Sequence, residues 1–398
     1  MNIREQFPQL KRSVYGKPLV YLDNAATSLR PQCVIDRWTE ISSRSTANLH
    51  RAVHHVAAEA TEAYEAARDA VREFLNAASR EEIIFTSGAT HALNLAAWSI
   101  GEAFINQGDE IIVSEAEHHS NLVPWQMLCG RKGAELKRLE VDDSGRLRIE
   151  SLRTLISPRT KLLCLAHVSN VLGLVNPISE ISRICRENGV MLLVDGAQGV
   201  VHQKIDVQEL GCDFYAFSGH KMYGATGTGV LWGRKALLEQ MPPMFGGGEM
   251  IETVQWSGST WAPLPRKFEA GTQDISSVPC FVQAIQTLQS MPQDDGLKEY
   301  VYEELSRMDG VRIFGTSADL SEKVPLFSIA VQGAHHEDLA LILDKMGIAV
   351  RSGQMCAEPL MDRFGVTGML RASFAPYNTM QEAEYFVSSL RKAISMLK

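Results

Sequence analysis

Between residues 82 and 232, short apolar runs alternate with stretches of helical spacing, and this alternation limits the fold more than any other feature of the chain. Residues 82–86, 110–113, 161–168, 190–194, 214–217 and 229–232 read as strands, and residues 91–100 and 178–187 as helices. Strands alternating with helices predict an α/β layer on a largely parallel sheet, because each parallel crossover needs a helix to bring the chain back. Ligands of such sheets bind beyond the carboxyl ends of the strands. The run Gly246-Gly247-Gly248 and the segment Ala262-Pro263-Leu264-Pro265 mark a change of organisation. Beyond it, strands at 326–331, 348–351 and 370–375 and helices at 336–346 and 381–397 read as a smaller α+β domain.

Two strand ends carry reactive groups. Leu192-Leu193-Val194-Asp195 is a buried-type strand ending in a carboxylate. Phe214-Tyr215-Ala216-Phe217 leads through Ser218-Gly219-His220 to Lys221. A lysine and an aspartate so placed are what an enzyme needs to hold pyridoxal phosphate. The amine takes the aldehyde as a Schiff base, and the carboxylate keeps the ring nitrogen protonated. Lys221 in an ordinary surface turn is the plainer alternative, so other segments must decide.

Thr86-Ser87-Gly88-Ala89-Thr90 joins a strand to a helix, and its small residues expose backbone N–H groups that suit a phosphate. Thr90 as a simple helix cap explains the same residues. Glu117-His118-His119-Ser120-Asn121 follows the 110–113 strand, where an imidazole can stack on an aromatic cofactor or move protons near neutral pH. Adjacent histidines diverge and no third ligand follows at helical spacing, which argues against a metal. Cys356, in Arg351-Ser352-Gly353-Gln354-Met355-Cys356-Ala357, reads either as a loop thiol activated by Arg351 or as a small buried hydrophobe. Arg371 begins an apolar strand and needs an anionic partner, either a substrate carboxylate or an internal acid.

The net charge of -8 comes without an extended basic stripe, so nucleic acid is not an expected partner. No apolar run reaches the length of a membrane span, and Met1-Asn2-Ile3-Arg4-Glu5-Gln6 lacks the apolar core of a secretory signal. The seven cysteines are odd in number and contain no C-x-x-C pair, which predicts no disulfide framework and a reducing, cytoplasmic setting.

In combination these segments resemble the fold-type I, class V pyridoxal phosphate enzymes. More narrowly they resemble the group of cysteine desulfurases, selenocysteine lyases and cysteine sulfinate desulfinases. The resemblance runs from Tyr21-Leu22-Asp23-Asn24-Ala25-Ala26 to Leu370-Arg371-Ala372-Ser373-Phe374-Ala375-Pro376-Tyr377-Asn378-Thr379. It includes Glu117-His118-His119-Ser120-Asn121-Leu122-Val123-Pro124-Trp125, Ser169-Asn170-Val171-Leu172-Gly173, Val194-Asp195-Gly196-Ala197-Gln198 and Phe217-Ser218-Gly219-His220-Lys221-Met222-Tyr223-Gly224. The Cys356 loop resembles the short-loop subgroup, whose members pass sulfur to a dedicated acceptor protein.

The resemblance implies a large cofactor domain over 16–265, a small domain from 1–15 and 266–398, and a homodimer. Lys221 then carries pyridoxal 5'-phosphate and moves the Cα proton, Asp195 pairs with the ring nitrogen, and Gln198 bonds the phenolic oxygen. His118 stacks on the ring. Thr90, Ser218 and His220 hold the phosphate, with Thr272 from a second subunit. Asn170 and Arg371 fix the substrate carboxylate, Arg351 and His50 line the site, and Cys356 takes the substrate sulfur as a persulfide. The implied reaction turns L-cysteine into L-alanine. A preference for selenocysteine or cysteine sulfinate, or a non-catalytic binding protein on the same fold, are the alternatives. Three departures from the family pattern stand out: Gln273 after Gly271-Thr272, a short stretch over 276–310, and Met355 where a histidine is common.

Overall fold

The computed structural model describes residues 3–50, 52–292, 296–316 and 320–397. Its centre is a seven-stranded sheet: β1 (Ile83–Thr86), β2 (Glu110–Ser114), β3 (Glu135–Leu139), β4 (Thr160–Ala166), β5 (Met191–Asp195), β6 (Phe214–Ser218) and β7 (Gly229–Gly233). The spatial order is β1-β7-β6-β5-β4-β2-β3. All pairings are parallel except those of β7, which runs antiparallel to both β6 and β1. The largely parallel sheet therefore has one reversed strand.

Apart from the edge strand β3, the strands are largely apolar because both faces are covered. Side chains alternate between two cores. Phe85, Ile112, Leu163, Leu165, Leu192, Val194, Tyr215 and Phe217 enter one, and Ile84, Ile111, Val113, Leu162, Cys164, Leu193, Phe214 and Ala216 enter the other. This period of two is the strand geometry itself. Helices α1 (His55–Phe74) and α4 (Ile178–Glu187) close the first face, α2 (Ala89–Phe104) and α3 (Val123–Lys132) the second.

A second sheet of β8 (Val311–Phe314), β9 (Leu326–Val331), β10 (Arg351–Gly353) and β11 (Met369–Ser373) is antiparallel, in the order β8-β9-β11-β10. It packs with helices at Leu297–Ser306, His336–Lys345 and Met380–Leu397 in a core of its own. The hydrophobic clusters run across the 265/266 boundary read from the sequence. Val278, Phe281 and Ile285 pack under the large sheet, and Val20 and Leu22 pack with the small one. Of the short 276–310 stretch, residues 293–295 lie outside the described residues.

Three sequence readings need correction. The expected strand at 348–351 is two pieces: Ile348–Ala349 pairs in parallel with Val20–Tyr21, and β10 joins the small sheet. Strand β3 was not expected, because it is an edge strand whose Leu139 alone is buried. Strand β8 is likewise half-exposed and carries no apolar run.

Candidate active site

One cavity opens at the carboxyl ends of the large sheet and is roofed by the small one. It gathers Thr90, His118, Asn170, Asp195, Gln198, Ser218, His220, Lys221, Arg351 and Arg371. They arrive on several ends: Thr90 on the first turn of α2, His118 after β2, Asp195 at the end of β5, Ser218 and Lys221 at and just past the end of β6. The parallel register makes this convergence, since neighbouring strands end at one level.

Lys221 is half-buried, and burial brings its amine down to about 8, with Arg371 and Arg351 acting in the same sense and the carboxylate of Asp195 opposing. Asp195 is pushed up by burial and held back by Lys221 and by the Ala197 N–H, which donates to Oδ1 at 2.9 Å. Amine and carboxylate thus stabilise each other's charged forms in a poorly hydrated place. Gln198 is buried and donates from Nε2 to the Ala25 carbonyl at 2.7 Å.

Burial and the charge of Lys221 lower His118 to about 4, so its ring is neutral near pH 7. The Ser120 N–H donates to His118 Nδ1 at 3.0 Å, which leaves the ring proton on Nε2. His220 is lowered to about 4 for the same two reasons, and its Nδ1 lies 3.1 Å from Thr27 Oγ1.

Helix α2 is capped by Gly88, not by Thr90 as the plainer reading had it. Gly88 has φ 146°, a conformation open to glycine, and Ser218 Oγ accepts the Ala89 N–H at 2.7 Å. Thr90 is inside the first turn, with Oγ1 2.7 Å from Ser120 Oγ. A helix N-terminus ringed by Thr90, Ser120, Ser218 and His220 is a site for an anion.

The roof is cationic. Arg351 and Arg371 occupy directly opposed positions on β10 and β11. Arg371 is buried; NH1 donates to the Asn170 carbonyl at 2.8 Å and NH2 to Asp23 Oδ1 at 3.1 Å. The internal acid partner foreseen as the alternative is therefore present. Nε of Arg371 is buried and has no hydrogen-bond partner among the described residues. Paired arginines with an unsatisfied buried donor call for a further anion.

Cys356 is half-buried, within electrostatic reach of both Lys221 and Arg371. Its neighbour Met355 lines the cavity, and the Met355 carbonyl accepts Asn170 Nδ2 at 2.9 Å. Thr272 is not in this cavity; it is exposed and lines a separate one with Ser87, His91 and Phe245. His50 also lies apart, with Nε2 3.2 Å from Glu65 Oε1 and its ring edge-on to Tyr64. Sequence reasoning gave no role to Ser120 or Asp23, although both stood inside quoted motifs.

Fold and cavity together define a fold-type I, class V architecture of the pyridoxal-phosphate-dependent kind, with the site at the strand ends and roofed by the small sheet. The chain belongs to the aminotransferase class-V family, whose model matches residues 20–386. It is 44% identical to a probable cysteine desulfurase of Vibrio cholerae, over 99% of this chain and 98% of that protein. It is 45% identical to a cysteine desulfurase of Salmonella newport, over 100% and 98%. Among solved structures it is similar to the cysteine desulfurase CsdA from Escherichia coli, with TM-score 0.90, 39% identity, and 99% and 98% of the two chains covered. The apo cysteine desulfurase of Thermococcus onnurineus gives 0.91 at 35% identity, with 98% and 99% covered.

Proposed function

We propose that this protein is a cysteine desulfurase that uses pyridoxal 5'-phosphate to convert L-cysteine to L-alanine and keeps the sulfur as a persulfide on Cys356. The observation that carries this reading is one cavity in which Lys221, Asp195 and a pair of arginines meet Met355, the residue next to Cys356. The relatives named cysteine desulfurase support it.

The residues fit the cofactor. An unsatisfied Arg371 Nε, a buried Asp195 beside a depressed lysine, and a hydroxyl-ringed helix N-terminus match a substrate carboxylate, a ring nitrogen and a phosphate in turn. Lys221 would anchor the aldehyde, Asp195 the ring nitrogen and Gln198 the phenolic oxygen. His118 would cover the ring, and Thr90, Ser218 and His220 would hold the phosphate, with Ser120 added. Bound there, pyridoxal phosphate supplies an electron sink for charge at the substrate Cα.

The chain's own groups do the rest. Arg371 and Asn170 orient the substrate carboxylate, and Arg351 adds charge above it. Lys221, with an amine near neutrality, takes and returns the Cα proton. The Cys356 thiolate forms an S–S bond as the Cβ–S bond breaks. The bonding pair stays with carbon, which takes up a proton to give alanine. Seven cysteines, odd in number and without a C-x-x-C pair, support a reducing, cytoplasmic setting. A sulfur-acceptor protein that reads the Cys356 face, and a second copy bringing its Thr272, complete the proposal.

The experiment is alanine release from L-cysteine by cofactor-loaded protein with a thiol reductant, beside Lys221→Ala and Cys356→Ser. Wild type should form alanine and a persulfide on Cys356, Lys221→Ala neither, and Cys356→Ser no persulfide. Wild-type rates from Lys221→Ala would end the proposal. Equal alanine from wild type and Cys356→Ser would move the substrate to selenocysteine or cysteine sulfinate.

A further inference from the structure

Cys356 sits on a turn with an unusual backbone. Met355 has φ 54° and Cys356 φ 57°, two successive left-handed residues that both carry side chains. Such residues are uncommon singly and persist in succession only where the surroundings hold them. The Ala357 N–H closes the turn on the Gln354 carbonyl at 3.0 Å. From one side, the Met355 side chain is buried in the main core and Asn170 Nδ2 holds its carbonyl at 2.9 Å.

The other side is held by His119. Its main-chain N–H donates to the Cys356 carbonyl at 2.7 Å, and its ring Nε2 accepts the Glu358 N–H at 3.1 Å. One residue thus grips the chain immediately before and after Ala357. The grip has a rigid base. Glu117, buried beneath it, accepts from Ser114 Oγ at 2.5 Å, Asn121 Nδ2 at 2.6 Å and the Ala166 N–H at 3.0 Å. Asn121 Oδ1 in turn accepts Trp125 Nε1 at 3.1 Å. The adjacent histidines take opposite tautomers when neutral: His118 accepts at Nδ1, His119 at Nε2. One faces the cofactor cavity and the other the nucleophile's turn.

We propose that His119 is a positioning residue for Cys356: it holds the turn closed against the cavity, and loss of its two bonds frees the turn to swing toward a sulfur acceptor. This rests on the reading of Cys356 as the group that takes the sulfur. Attack and delivery then make opposed demands on one clasp, because a tighter turn aims the thiol and a looser one exports it.

The test uses cofactor-loaded protein and the variants His119→Ala, His119→Gln and His119→Pro. Alanine removes only the ring's bond, and glutamine restores an acceptor. Proline also removes the main-chain donor, and it suits the first position of the 3-10 turn His119–Asn121, which follows an extended His118 (φ -61°, ψ 146°). The first readout needs no turnover: the rate at which iodoacetamide alkylates Cys356, followed by mass spectrometry. The second is the ratio of alanine formed from L-cysteine to alanine formed from cysteine sulfinate, whose sulfite can leave without a thiol.

His119→Ala should raise alkylation by about 5-fold, as expected for one lost hydrogen bond, and lower the cysteine-to-sulfinate ratio by a similar factor. His119→Gln should return both toward wild type, and His119→Pro should move both further. Alkylation unchanged in the alanine and proline variants overturns the proposal, as does equal loss on both substrates without faster alkylation. Wild type giving no alanine from cysteine would instead defeat the desulfurase reading, while the alkylation series still judges His119.

Discussion

The amine of Lys221 offers a measurement that needs neither substrate nor cofactor. Burial, helped by two arginines, brings it to about 8, against about 10.4 for a free lysine. At pH 7 that makes about 9% of the amine unprotonated, against about 0.04% ordinarily, so roughly 200-fold more is reactive. Competitive acetylation of cofactor-free protein across the neutral to alkaline range, read by mass spectrometry of the Lys221 peptide, gives the midpoint directly. Half-burial slows the reaction at every pH alike and leaves the midpoint untouched. Two variants fix the cause. Asp195 raises the amine's pKa, so Asp195→Asn should move the midpoint below that of wild type. Arg371 lowers it, so Arg371→Leu should move the midpoint above. A wild-type midpoint near 10, or variants shifting the same way, would refute the electrostatic account of this site.

Three further outcomes follow from buried groups. Arg68 is fully buried, bonded to both oxygens of Glu269 at 2.8 and 2.9 Å, and Glu269 Oε1 also accepts the Phe85 N–H at 2.7 Å. Arg68→Met should lower stability by about 3–5 kcal/mol in urea titrations, and adding Glu269→Leu should recover part; a neutral single variant contradicts this. Glu117 is raised by burial to about 7, above its unfolded value of about 4.3, so the native state binds the extra proton between these pH values. Stability should therefore fall as pH rises through that window, and urea midpoints of Glu117→Gln should show a shallower fall; an identical slope would exclude Glu117 as its source. A Cβ added at Gly229 would lie 2.5 Å from Gly88 Cα, at the start of α2. Gly229→Ala should thus weaken pyridoxal phosphate binding by absorbance titration, and unaltered affinity would show that the turn can yield.

The large sheet was legible because its strands are buried on both faces and so consist of uninterrupted apolar residues. The same rule hid β3, whose Glu135 and Arg138 are exposed and whose Lys137 pairs with the buried Glu110 at 2.7 Å. The reversal of β7 left no trace in composition, since Val230, Leu231 and Trp232 would suit either direction. Lys221 and Asp195 could be read as a pair because Asp195 ends its strand and Lys221 follows its own within three residues. Arg371's tie to Asp23 could not, because 348 residues separate the partners and each motif alone suits several partners. His119 was masked by its neighbour: two adjacent histidines read as one motif, and only the chain's path shows that His118 lines the cavity while His119 bonds the Cys356 turn.

The segment 20–28 is the stitch between the two sheets. Val20 and Tyr21 pair with Ile348 and Ala349, and Asp23 holds Arg371. The Asn24 amide bonds the Ser373 carbonyl, Ala25 receives Gln198, and the Ser28 N–H meets the His220 carbonyl. On a ribosome this segment emerges well before its partners at 348–373. The nascent large sheet can form its strand-end cradle long before the arginine roof exists to cover it. From the synthesis of Lys221 until Arg351 and Arg371 follow, the lysine therefore stands in an open cradle. The cavity gains its roof only when segments 20–28 and 348–373 meet.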